Sequence, residues 1–566
     1  MADDGGSRGI DRPMVDAGGL DPAATSIPAL IRWSTATFAD RDAIRDRGVT
    51  VTYRELGAQI DRAARALVAS GIGPGDAVGV WAPNGRWWVV VGLAVSRAGG
   101  RLVPINTRFR GREAAFVLRA AEVRLLFVQD GFLDNDYSGA IAAEDLPALT
   151  EVVDLEGPGT DHSTSREAFL GRGDGAGPAG SVADLQAEVD RRSDAVAPDD
   201  IAVIMFTSGT TGNPKGVLVR GGAIIRAFHA YGRALTVRPG DPYLLVNPYF
   251  HAFGYNSGII VCLLFGAVNL PVAVFDAGQV VATIERERVA VFPGPPALFQ
   301  GLLNHPALDR HDLSSLRSCV TGAASIPVEM IVAMRERLGF EIVITAYGMT
   351  ETSGIAAYTM PDDPPEVAAT TSGRAIPGGE LRIVDEAGRE VPAGTEGELL
   401  VRGFQVTPGY LDDPAQTAAA IDPDGWLHTG DIAVMNADGY IDITDRKKDM
   451  FIVGGFNAYP AEIERIMTEH PAIGMVAVVG VADDRLGEVG AAFVVPTPGP
   501  LPEPADLLAW CREEMANYKV PRHLWLVDEL PLTASNKVRK PDLRDRAAAL
   551  LADAGAADSD GPESAV

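Results

Sequence analysis

Ten residues, Thr207-Ser-Gly-Thr-Thr-Gly-Asn-Pro-Lys215-Gly216, bring together four hydroxyl groups, three glycines and one ammonium. Glycines let backbone N–H groups approach a polyanion, hydroxyls donate hydrogen bonds to it, and Lys215 adds a point charge. The string follows an apolar run, Ile201 to Phe206, with the pattern of a strand, and comes before a helical pattern from Ala223 to Leu235. It is not a Walker A loop, which needs G-x-x-x-x-G-K followed by Ser or Thr. Here Gly209 stands three residues before Gly212, and Lys215 is followed by glycine. Thr207, Ser208, Gly209, Thr210, Thr211 and Lys215 are therefore candidate phosphate contacts.

The string resembles the phosphate loop of the adenylate-forming superfamily: acyl-CoA synthetases, peptide-synthetase adenylation domains and luciferases. Four further stretches fall in that superfamily's order. Ala346-Tyr-Gly-Met-Thr-Glu351 looks like the adenylate-binding motif, and Trp426-Leu-His-Thr-Gly-Asp431 like the ribose-binding motif. Asp445-Arg-Lys-Lys-Asp449 with Gly454-Gly455 looks like a hinge and its following loop, and Pro531-Leu-Thr-Ala-Ser-Asn-Lys537 like the catalytic-lysine motif. The resemblance covers about residues 27 to 550.

It implies ATP, Mg²⁺ and coenzyme A, and a role for each matching residue. Tyr347 would offer a flat face to adenine, beside Gly348. Thr350 would donate to the α-phosphate, and Glu351 is an oxygen ligand suited to Mg²⁺, a hard cation usually held by one or two carboxylates plus substrate phosphates. Asp431 would accept the ribose hydroxyls, with Arg446 reaching the ribose or a phosphate. His251, in Pro248-Tyr-Phe-His-Ala-Phe-Gly254, would stand where acyl pocket and thiol tunnel meet. Gly322, Ala323, Ala346 and Met349 would wall the acyl pocket. Lys537 would meet the carboxylate and α-phosphate during adenylation, with Lys540 as the competing lysine if the register is read differently. Asn536 stands where the superfamily usually has Gly; Asn tolerates positive φ better than most residues.

The implied chemistry is two-step. A carboxylate attacks the α-phosphate of ATP and releases pyrophosphate; the CoA thiol then attacks the acyl-adenylate and releases AMP. Repulsion between the two anions is the obstacle, and Lys537, Thr350 and Mg²⁺ on Glu351 would offset it. One site serves both steps if the C-terminal domain rotates about Lys448, exchanging Lys537 for the loop at Gly454-Gly455.

The elements that must position these residues follow from patterning. Ala77 to Ala82 and Leu125 to Gln129 look like strands, with a helix at Glu113 to Ala121 between them, so a mostly parallel sheet with helices on both faces is expected. Residues 157 to 200, rich in Gly, Asp, Ser and Ala, look like a surface excursion. Strands at Glu380 to Val384 and Glu398 to Arg402 flank a polar turn and suggest a small β subdomain. Beyond 449 come a helix at Pro460 to Glu469, strands at Met475 to Val481 and Gly490 to Pro496, a helix at Pro504 to Asn517 and a strand at His523 to Val527. The fold class is α/β: a large N-terminal domain of parallel and mixed sheets sandwiched by helices plus a β subdomain, and a small mobile α+β C-terminal domain. The expected divisions are a disordered tail at 1–25, an N-terminal AMP-binding domain at 26–444, a hinge at 445–449, a C-terminal domain at 450–552 and a second tail at 553–566.

Bulk composition narrows the partners. The 566 residues carry a formal charge of −27, which argues against nucleic acid and anionic membranes, so positive charge must be concentrated locally if the substrates are anions. Cys262, Cys319 and Cys511 are far apart and form no CxxC pair, so neither a disulfide framework nor a zinc site is indicated. The N-terminus lacks a signal-peptide pattern, and the longest apolar runs reach about half a membrane span; the expected location is cytoplasmic. Partners are a small-molecule carboxylic acid, ATP and CoA, with a homodimer left open.

Asn247 to Tyr255, Pro293 to Pro296 and Val320 to Ser325 are similar to the CoA ligases of actinobacterial steroid breakdown, which activate a bicyclic indane-dione propanoate left from the C and D rings. A medium-chain or aryl acid, an acyl-AMP ligase loading a carrier protein, and a catalytically silent adenylate binder remain alternatives. The presence of Glu351, Asp431 and Lys537 speaks against the last.

Overall fold

Short, largely buried runs rich in Val and Leu build the centre of the larger domain. In the computed structural model, which describes residues 20–22, 24–175, 180–207, 214–322, 326–446, 449–453, 456–483, 486–515, 517–532 and 538–559, Ala77–Trp81, Arg101–Pro104, Val123–Val128 and Glu151–Asp154 are parallel neighbours. Their near-continuous apolar character is what a sheet covered on both faces requires. Thr164–Ser165 extends one edge; Ile201–Thr207 lies beside Arg101–Pro104 and closes the other edge with Lys215–Arg220. The last pair is antiparallel, so the phosphate string connects the two arms of a hairpin and does not lead straight into a helix.

Helices Tyr53–Ala69 and Arg86–Arg97 pack together on this layer. The first opens with a capping box in which Thr52 and Glu55 satisfy each other's backbone N–H groups. A second sheet runs through Pro242–Leu245 and Val268–Pro271 to Ser318–Gly322 and Ile342–Tyr347; Val291 bridges Tyr243 on one side and Ser318 on the other. Gly379–Val384, Glu396–Gly403, Leu427–Met435 and Ile441–Arg446 form an antiparallel meander, the expected β subdomain. The smaller C-terminal domain is built on Ile473–Asp483 and Gly487–Pro496, joined by Phe451–Val453, Phe456–Ala458 and His523–Leu526. Its helix Pro460–Thr468 packs against Ile441–Arg446 of the meander.

Three segments depart from the sequence reading. Residues 157 to 200 are not a surface excursion. They fold into helices Arg166–Arg172 and Val182–Ala195, capped by Ser165 and Ser181, and bury Phe169, Leu170 and Val189 in the main core. The second helix also supplies the partners of Arg97, which is only 3% exposed: Asp190 at 2.8 Å and the Ser193 hydroxyl, beside Asp61 at 2.9 Å. A guanidinium so buried is stable only when paired. Leu20, placed by the sequence reading in the 1–25 tail, packs on the core, and Ser26 caps helix Ile27–Thr37. At the other end helix Lys540–Ser559 passes residue 552; its alanine-rich composition, read as a tail, is also the strongest helix-forming composition.

Candidate active site

The phosphate hairpin meets the adenylate-binding motif through a third segment. Thr207 and Lys215 pair at the hairpin's mouth. From Lys215 the strand runs beside residues 407–411: Leu218 N–H donates to Gly409 O at 3.1 Å and Leu411 N–H to Gly216 O at 2.7 Å. The same segment holds the turn Thr350–Thr352, with Thr407 N–H donating to Glu351 O at 2.7 Å. Between the two, the Lys215 ammonium lies 5.7 Å from the Tyr410 ring centroid and the Tyr410 hydroxyl donates to Glu351 Oε1 at 3.1 Å. Burial, reinforced by the Glu351 charge, pushes the Tyr410 hydroxyl up, keeping it protonated. Thr350 and Glu351 are both buried.

Tyr347 ends the strand Ile342–Tyr347, and its hydroxyl donates to the Asp431 carboxylate. Asp431 is buried in the meander and pairs in register with Arg446. Two motifs 84 residues apart thus meet where the second sheet abuts the meander. Met349 and Tyr347 pack together on the meander's core.

His251 is the N-cap of a short helical turn, its Nδ1 accepting from Phe253 N–H at 3.1 Å; the ring proton therefore belongs on Nε2. A π-helical turn, Tyr255–Ile260, follows, a rarity that often marks functional sites. The stem of this segment is pinned by Asn84, a buried residue just past strand Ala77–Trp81. Its Nδ2 donates to Leu245 O at 3.1 Å and Asn247 O at 2.9 Å, and its Oδ1 accepts from Tyr249 N–H at 2.8 Å. Asn256 Nδ2 donates to Ser353 O at 2.8 Å, tying the segment to the adenylate motif.

Two glycines have steric reasons. A Cβ on Gly322, at φ +154, would stand 2.4 Å from Ala346 O, its partner across the sheet. One on Gly348 would stand 2.5 Å from both Gly354 O and Ile355 Cα. Gly348 therefore has a packing role in addition to its expected one. Ser208, Gly209, Thr210, Thr211, Ala323, Lys448, Gly454, Gly455 and Lys537 lie outside the described residues, as does the side chain of Arg446. Lys540 is described: its ammonium pairs with Glu464 at 2.9 Å within the C-terminal domain. Tyr410, Thr407 and Asn84 are site-forming residues that the sequence reading missed. Their signal is only a Thr-Pro-Gly-Tyr turn and a lone Asn after a strand.

No group of three or more His, Cys, Asp or Glu among the described residues could hold a metal alone. One buried carboxylate, Glu351, near a phosphate hairpin fits Mg²⁺, which shares its coordination with substrate phosphates. The cleft of about 540 Å³ between Ile27, Gly99 and Ala197 lies at the opposite, N-terminal ends of the parallel strands. Its Arg191 and Arg192 are engaged by Glu188, whose carboxyl they hold down at about 2. Ligands of such sheets bind at the carboxyl ends of the strands, where the motifs meet.

Comparison with known proteins agrees with this geometry. Residues 31–411 match the AMP-binding enzyme family, and residues 462–537 match the AMP-binding enzyme C-terminal domain. The chain belongs to the AMP-binding enzyme family. Among its relatives, 3-[(3aS,4S,7aS)-7a-methyl-1,5-dioxo-octahydro-1H-inden-4-yl]propanoyl:CoA ligase of Rhodococcus jostii (strain RHA1) is 43% identical over 529 residues, 92% of this chain and 98% of that one. The Mycobacterium tuberculosis enzyme of the same name is 43% identical over 520 residues, again 92% and 98%. Human medium-chain acyl-CoA ligase ACSF2 is 32% identical, covering 88% of this chain and 83% of that one. Among solved structures, the anthranilate CoA ligase AuaEII in complex with anthranoyl-AMP superposes with a TM-score of 0.80 at 26% identity, over 93% and 98% of the chains. ATP-bound MatB from Rhodopseudomonas palustris gives 0.77 at 28% identity, over 92% and 99%. This AMP-binding enzyme is an acyl-CoA ligase by family, and ATP and CoA are the family's substrates. None of its described helices is long and apolar enough to cross a membrane.

Proposed function

We propose that this AMP-binding enzyme converts a bicyclic indane-dione propanoate, ATP and CoA into the propanoyl-CoA, AMP and pyrophosphate. The reading is carried by the 43% identity, over 92% of the chain, to ligases named for that propanoate. The carboxylate oxygen attacks the α-phosphorus and the bond to pyrophosphate breaks. The CoA sulfur, as thiolate, then attacks the acyl carbon, and AMP leaves with the carboxylate-derived oxygen. Lys215 and the loop it closes hold the phosphates, Tyr347 and Asp431 the nucleoside, and Thr350 the α-phosphate. Glu351 would hold Mg²⁺, which supplies charge neutralisation at the phosphates. Lys537 serves the first step and the Gly454-Gly455 loop the second, as the C-terminal domain turns about Lys448. His251 stands at the meeting of acyl pocket and thiol tunnel, with Gly322, Ala323, Ala346 and Met349 around the acyl group. The proposed location is cytoplasmic, and a homodimer is compatible with the reading.

A panel of acids assayed for AMP release with and without CoA tests it. The bicyclic propanoate should exceed palmitate by at least tenfold in kcat/KM, about 1.4 kcal/mol of transition-state discrimination. Preference for palmitate or another straight-chain acid would overturn the substrate, and AMP release indifferent to CoA would overturn the acceptor.

A further inference from the structure

Tyr410 touches two candidate site residues that no sequence motif links. Its ring faces the Lys215 ammonium, 5.7 Å from the centroid, and its hydroxyl donates to Glu351 Oε1 at 3.1 Å. The backbone around it leaves little freedom. Val217 forms a bridge with Tyr410 itself, and Leu411 N–H donates to Gly216 O. On the other side Thr407 N–H donates to Glu351 O, while the Thr407 hydroxyl donates to Leu218 O at 2.6 Å. Residues 407–411 are thus a clasp between the phosphate hairpin and the turn that carries Glu351, and Tyr410 is its one side chain that reaches both a cation and a carboxylate.

We infer that Tyr410 is a positioning residue for the metal and phosphate subsite: it fixes the plane of the Glu351 carboxylate and the direction of Lys215. The inference rests on the reading of Glu351 as the Mg²⁺ ligand. A carboxylate bound to a metal at one face needs its orientation held, and removing such an outer hydrogen bond typically weakens metal affinity about 10–100-fold. The two functions of the side chain separate by chemistry. Phenylalanine keeps the ring face toward Lys215 and loses only the donor to Glu351.

The test measures Mn²⁺ binding, as a spectroscopic stand-in for Mg²⁺, by the loss of the free-ion paramagnetic signal in the presence of a non-hydrolysable ATP analogue. Melting curves run alongside. Tyr410→Phe should bind Mn²⁺ about 10-fold more weakly or worse while melting as the unaltered protein does. In pyrophosphate release, its KM for Mg²⁺ should rise more than its kcat falls. In a Glu351→Gln background, adding Tyr410→Phe should change Mn²⁺ affinity no further, because the group it acts through is gone. Unchanged Mn²⁺ affinity in Tyr410→Phe would overturn the inference. So would two independent, multiplying losses in the double variant, which a merely structural tyrosine produces. If Glu351→Gln alone leaves Mn²⁺ affinity unchanged, the assignment of the metal to Glu351 fails, and the inference fails with it.

Discussion

Glu351 combines burial with a defined hydrogen-bond donor, and both belong to the same purpose. A buried carboxylate stays ionised only when it is paired or coordinates a metal, and an ionised carboxylate is what a Mg²⁺ ligand requires. Glu351→Gln keeps the shape and removes the charge. It should lower the adenylation rate on the order of 10²–10³-fold at fixed Mg²⁺ while the melting temperature holds; an unaltered Mg²⁺ dependence of pyrophosphate release would be the contrary result. The two lysines near the C-terminus separate in the same way. Lys540 is paired with Glu464, which also accepts Val478 N–H at 2.8 Å. Lys540→Ala should therefore loosen the C-terminal domain by about 1–3 kcal/mol and spare adenylation. Lys537→Ala should fail to make acyl-AMP from acid and ATP, yet convert supplied acyl-AMP and CoA to thioester. Loss of both half-reactions together would make Lys537 structural.

At the scale of elements, the segment carrying His251 depends on a residue more than 160 positions away. Asn84→Ala leaves the carbonyl of Asn247 and the N–H of Tyr249 without their buried partner and takes from Leu245 O one of its two donors, the other being Val272 N–H, a cost of about 1–3 kcal/mol that a chemical-denaturation midpoint would read. Such tertiary bonds are what the sequence hides. Alternation and apolar runs made Ala77–Trp81, Val123–Val128 and the order of the C-terminal domain from helix Pro460–Thr468 to strand His523–Leu526 legible, because burial dictates those patterns locally; the short strands Phe451–Val453 and Phe456–Ala458 and the helix Lys540–Ser559 were not. The phosphate string was legible because its composition has few other uses. The strand Lys215–Arg220 was not, because its partner is the strand on the other side of that string. Tyr410 was not, because a tyrosine after a Pro-Gly turn has many ordinary places to go. Residues 166 to 195 were misread for the opposite reason: their polar surface dominates the composition, while three apolar side chains and the pairing with Arg97 decide where they lie.

On the scale of the molecule, the C-terminal domain meets the rest through helix Pro460–Thr468 against strand Ile441–Arg446, with Asp449 held by Arg544 at 2.8 Å on its own side of the junction. Lys448→Pro fixes φ near −65° at the proposed pivot; one half-reaction should be lost and the other kept, and equal loss of both would place the pivot elsewhere. The larger domain is of another kind. Asn84 belongs to the turn after a strand of the first sheet and bonds the end of a strand of the second, so the two sheets cannot part without breaking three buried hydrogen bonds at once. Their amides should therefore exchange with solvent deuterium through a common opening. Val78 to Val80 and Leu244 to Leu245 would then report one free energy, and the C-terminal domain a smaller one. With Asn84 replaced by alanine, the protection of Leu244 and Leu245 should fall away from that of Val78 to Val80, turning one cooperative unit into two.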